Sequence, residues 1–158
     1  MKTATVKEIK TELTHCSTQE LMELCLRLSR FKKENKELLT YLLFESSHEE
    51  GYIESIQREV DEQFDLINTA SYHYIKKSVR KILRMIKKYI RYSKNKETEV
   101  ELLLYFCKKL SGFQPYIHRN NVLQTILYRE LTSIQKKLPS LHEDLQYDYT
   151  VELEKLVS

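Results

Sequence analysis

The chain has 158 residues, with 26 Lys and Arg against 23 Asp and Glu, a net charge of +3, and 41% hydrophobic to 31% charged residues. That length suffices for one domain with a real core; the composition excludes a disordered chain, and the near balance of charge sets it well short of a dedicated nucleic-acid binder. Two glycines and two prolines leave few places for tight hairpins, so an all-α fold is expected.

In chain order, apolar residues at i, i+3, i+4 spacing predict a short helix over 6–13. Ser17 and Glu20 have the S-x-x-E spacing of a capping box and open a helix over 17–33, with Leu21, Leu24, Cys25 and Leu28 expected to face inward. A third helix over 35–46 uses Leu38, Leu39, Leu42 and Leu43, and a fourth over 50–68 uses Ile53, Ile56, Val60, Phe64 and Ile67. A fifth spans 70–93, and a sixth over 97–110 ends at Gly112, a candidate left-handed C-terminal residue. A seventh covers 120–138; Pro139 then breaks the chain, and Ser140 to Glu143 reads as another capping box opening a final helix to 157. The expectation is a single all-α domain of seven substantial helices and a marginal first one, arranged as an irregular bundle or a short right-handed array. Its possible halves are 17–70 and 71–138, with a cap over 140–157.

The fifth helix is the most informative segment. At about 100° per residue, Ile75, Val79, Ile82, Leu83, Ile86, Tyr89 and Ile90 fall within an arc of about 120°. The opposite arc carries Lys76, Lys77, Arg80, Lys81, Arg84, Lys87, Lys88, Arg91 and Lys94. One side is core and the other a cationic stripe. The upstream segment 45–70 holds eight acidic residues against Arg58 alone, so an antiparallel pairing of the fourth and fifth helices would neutralise the stripe.

A weak internal echo aligns Leu21, Met22, Cys25, Leu28, Arg30 and Phe31 with Ile82, Leu83, Ile86, Tyr89, Arg91 and Tyr92, and pairs Leu42 and Phe44 with Leu104 and Phe106. On these residues the chain resembles the helical-hairpin scaffolds of the HEAT and armadillo type, over about a third of its length. The resemblance implies a binding or scaffold role.

Motifs for chemistry are sparse. E-x-x-H occurs twice, as Glu12 to His15 and Glu45 to His48, but near predicted helix ends rather than in the middle of long helices, so no metal site is expected. No glycine-rich phosphate loop or nucleophile elbow is present, and no cofactor or small-molecule substrate is inferred. The cysteines, Cys16, Cys25 and Cys107, form an odd set without C-x-x-C spacing, which fits a reducing cytoplasm; Cys25 and Cys107 are expected in the core and Cys16 in a loop. The longest polar connection carries Tyr116, His118, Arg119 and Asn120, a candidate binding loop. No apolar run reaches the length that spans a bilayer, so membrane insertion is not expected. The sequence therefore reads as a non-enzymatic helical binding module that contacts an acidic protein, or a second copy of itself, through the basic face at 71–96; the alternative is sequence-nonspecific nucleic-acid binding by phosphate contacts from that face.

Overall fold

A computed structural model describes residues 1–157 and is all-α. Among the described residues there are eight α-helices and no strand: α1 (Val6–Leu13), α2 (Thr18–Phe31), α3 (Lys33–Thr40), α4 (Glu49–Asp65), α5 (Tyr72–Ser93), α6 (Lys96–Ser111), α7 (Asn121–Lys137) and α8 (Glu143–Val157).

Side-chain caps fix most helix starts. The Ser17 hydroxyl accepts from the Glu20 N–H at 3.2 Å, while the Ser17 N–H donates to the Glu20 carboxylate at 2.7 Å, which holds that carboxyl below its ordinary pKa. Thr5 and Glu8 form the same box at α1. Asn95 and Asn120 cap α6 and α7, each side-chain oxygen accepting two backbone N–H groups. Two expected signals act differently. Gly112 stays right-handed at φ −83°, whereas Lys94, at φ 56°, is the left-handed residue that ends α5. Ser140 lies in a 3₁₀ turn and donates to the Lys137 carbonyl, so it does not cap α8.

The chain forms two compact units, Met1–Phe44 and a second beginning at Glu45. The second is built around α6, which packs against α4, α5, α7 and α8. A helix surrounded by neighbours must be apolar on nearly every side. Val100, Leu102, Leu103, Leu104, Phe106, Cys107 and Leu110 are accordingly all buried. Ile56, Val60 and Phe64 of α4 and Leu123, Leu127 and Ile134 of α7 complete the core, with Phe64 tilted against Phe106 at 6.0 Å between ring centres.

The first unit is a hairpin of α2 and α3 preceded by α1, and none of these three helices buries a side chain. Leu21, Leu24, Cys25, Leu28, Leu38, Leu42 and Leu43, expected to face a core, are exposed. Helix periodicity reports an apolar arc but not what lies against it. The third helix also stops early: after Thr40 the chain passes into a π-helical turn, Tyr41–Glu45.

Candidate functional site

The sequence of α5 decides its own orientation. Ile75, Val79, Ile82, Leu83, Ile86 and Ile90 are all buried, so the opposite arc is turned outward. Lys77, Arg80, Lys81, Arg84, Arg91 and Lys94 are exposed, and Lys76, Lys87 and Lys88 are half-buried. At 1.5 Å per residue the 22-residue helix carries this strip over about 33 Å.

The acidic helix does not supply the expected counter-charge to most of it. α4 packs on α5 through Tyr52, whose hydroxyl donates to the Tyr89 carbonyl at 3.0 Å and whose ring meets Tyr89 edge-on. Carboxylates of α4 accept from hydroxyls and from a lysine of α6. Glu59 accepts from Tyr89 at 3.0 Å, Glu49 from Ser93 and Thr98, and Asp61 from Tyr105 at 2.8 Å and Lys109 at 2.9 Å. Among the described residues, Lys76, Lys77, Arg80, Lys81, Arg84, Arg91 and Lys94 form no ion pair. Lys88 lies over the Tyr89 ring at 4.7 Å.

Lys87 is paired with a buried carboxylate of α7 that no motif in the sequence marks. Glu130 of α7 is 1% exposed; its Oε1 accepts from Lys87 Nζ at 2.9 Å and Arg129 Nε at 3.1 Å, and its Oε2 has no partner. The legible signal was a lone acid on the inward arc of α7, three residues after Leu127 and four before Ile134. Glu130 is also the sole acidic residue in α5 and α7 together. The outward positions of α7 are Asn121, Thr125, Tyr128, Arg129, Thr132, Gln135 and Lys136. A groove of about 280 Å³ joins the two helices, with Arg80 on one side and Asn121, Thr125 and Arg129 on the other. The cationic surface is therefore two helices wide and bears no exposed carboxylate from either helix.

Acidic groups collect elsewhere. Glu49, Glu50, Glu54, Glu97 and Glu101 line a cavity of about 470 Å³ between α4 and α6. Burial, and then the charges of Glu97, Glu152 and Glu50, push the Glu101 carboxyl above its ordinary pKa.

The other candidates have structural places. The Tyr116 and His118 rings meet tilted at 4.7 Å between centres, the Tyr72 hydroxyl donates to the Tyr116 carbonyl at 3.0 Å, Arg119 closes a 3₁₀ turn and Asn120 caps α7. His48 accepts from the Gly51 N–H at the start of α4. Among the described residues no group of three or more His, Cys, Asp or Glu is placed to hold a metal ion. Cys107 is buried, and burial with the nearby Glu130 charge pushes its thiol up to about 12. Cys25, expected in the core, is exposed, and Cys16 is half-buried.

No protein-family model, no curated protein and no solved structure matches this chain. Among the described residues no helix is long and apolar enough to cross a membrane.

Proposed function

We propose that the chain is a helical binding module that docks an acidic protein segment along the basic face of α5 and α7. The observation that carries this reading is the six cations of α5, with Lys94 at its C-cap, that among the described residues stand without an ion-pair partner on a surface where neither helix exposes an acid. Such an arrangement has a cost. Arg80 with Arg84, Lys77 with Lys81 and Lys76 with Arg80 are like-charge neighbours at i, i+4, each destabilising a helix by about 0.2–0.5 kcal/mol. A merely solvated face would be served better by alternating signs. An acidic helix of comparable length, about 33 Å, would relieve the repulsion along the whole strip.

Net charge favours a protein partner over a nucleic acid. At +3 overall, with acids concentrated on α4 and at the start of α6, the molecule exerts little long-range pull on a polyanion, whereas a partner confined to the strip feels its local field. Nucleic-acid binding is the second reading, favoured by the exposed Tyr74 and Tyr128 on α5 and α7, which offer rings for stacking beside the cations. The three free thiols suit a reducing cytoplasm as the place of action.

A fluorescence-anisotropy titration separates the two. A glutamate-rich helical peptide should bind at low salt and outcompete single-stranded and duplex DNA of equal charge. Preferential DNA binding, with log affinity falling by about 0.7–0.9 per contact for each decade of salt, would replace the first reading by the second. Binding of neither at low salt would refute both.

A further inference from the structure

The Met1–Phe44 unit poses a separate physical problem. Its helices have 8, 14 and 8 residues, lengths at which an isolated helix is marginal in water, and none of the three buries a side chain. Yet its surface is strongly apolar. Ten large apolar side chains between Leu21 and Phe44 are exposed, from 37% at Leu21 to 77% at Phe31, and together they present roughly 1,000 Å². A standard interface buries about 800 Å² per partner, and the unit exposes apolar surface on that scale, spread over α2, α3 and the turn after it.

The shape of the apolar surface says how many neighbours α2 needs. On the helical wheel its apolar side chains run from Phe31 and Leu24 through Leu28, Leu21 and Cys25 to Met22 and Leu26, an arc of about 220°. α3 addresses the middle of that arc, where Cys25 and Leu28 share a shallow groove of about 210 Å³ with Leu38, Leu39 and Leu42. The flanks remain. An apolar arc this wide belongs to a helix with neighbours on two sides, as in a four-helix bundle.

The charges bordering those flanks specify the neighbour. Glu20 and Arg27 edge the Leu24–Phe31 flank, and Glu23 and Arg30 edge the Met22–Leu26 flank; all four are exposed. In each pair the acid precedes the base by seven residues, two turns. An antiparallel copy of α2 sets Glu against Arg at both ends of either pair, while a parallel copy sets like against like. A two-fold axis perpendicular to α2 produces that antiparallel arrangement. We infer that the N-terminal hairpin is a self-association element: two copies of this chain pair α2 antiparallel to α2 and close a four-helix bundle over the apolar flanks. This proposal is independent of the basic face on α5.

Sedimentation equilibrium of the full chain over a concentration series tests it. Wild type should run at twice the chain mass. Leu24→Asp combined with Phe31→Asp should weaken the dimer by about a hundred-fold or more, while the α6-centred core still melts cooperatively. Arg27→Glu combined with Arg30→Glu, which leaves the Ser17 cap intact, opposes acid to acid in the antiparallel pair. That variant should be monomeric at low salt and recover the dimer at high salt, as screened repulsion requires and a folding defect does not. A monomeric wild type at every concentration would overturn the proposal and leave the flanks to another partner or to the rest of its own chain. A dimer unaffected by the acidic variant would overturn the antiparallel pairing.

Discussion

Replacing Lys87 with Met tests whether the fold has reserved one cation of the strip for itself. Glu130 is a carboxylate at 1% exposure whose Oε1 is satisfied by Lys87 at 2.9 Å and Arg129 at 3.1 Å. Removing one partner of a buried ion pair costs about 3–5 kcal/mol because the other charge is left uncompensated. Here the cations lie toward water, with Lys87 43% and Arg129 63% exposed by side chain, and Arg129 remains after the change. Solvent screening therefore lowers the expected cost of Lys87→Met to about 1–3 kcal/mol. The double variant, Lys87→Met with Glu130→Met, removes both charges and the unpartnered Oε2 together, so it should be close to wild type or more stable. Urea unfolding of the four members of this cycle gives the coupling directly. If the single variant is as stable as wild type, or the double variant is the less stable of the two, the pairing of Lys87 with a buried charge is not what holds that site.

Three further outcomes follow from particular residues. Lys94 ends α5 in the left-handed region, where a side chain is strained, so Lys94→Gly should stabilise by about 0.5–1 kcal/mol in urea unfolding, and a loss of stability would refute that reading. Because the folded state raises the Glu101 pKa above its ordinary 4.5, stability falls as pH rises through the window between the two values, and the penalty is complete above it. Glu101→Gln should therefore melt higher than wild type at pH 7 and equal it well below 4.5; a pH-independent difference would contradict the assignment. Alkylation followed by mass spectrometry at pH 8 should modify Cys25 readily and leave Cys107, buried and raised to about 12, unmodified until the protein is denatured.

Much of the local structure was written in short-range chemistry. Thr5, Ser17, Asn95 and Asn120 fix helix starts through bonds within three residues, and the isoleucine arc of α5 lies in the core as its periodicity requires. What failed was long-range. Leu24 and Leu28 have the same spacing as Ile82 and Ile86, yet the first pair is exposed and the second buried, because burial depends on what the chain brings alongside. Glu130 follows the same rule: its place on the inward arc of α7 is legible, but its partner exists only once α7 lies beside Lys87. Opposite charge on adjacent segments pointed to α4 as the counter-ion for α5, but apolar burial set how the helices turn, and exposed pairs worth about 0–1 kcal/mol could not reverse it. The cationic strip itself was fully legible in the sequence, since an acid-free helix with one apolar arc must place its charges on the other.

One titration tests the open basic face most directly: binding of a glutamate-rich helical peptide to wild type and to the variant Arg80→Glu, Arg84→Glu, Arg91→Glu, with a thermal melt of each sample at low salt. These three arginines have no ion-pair partner among the described residues, so reversal should abolish binding while leaving the melting temperature unchanged or slightly raised by relief of like-charge repulsion. Undiminished binding by the variant, or a melting temperature several degrees lower, would contradict the claim that this face is left open for a partner.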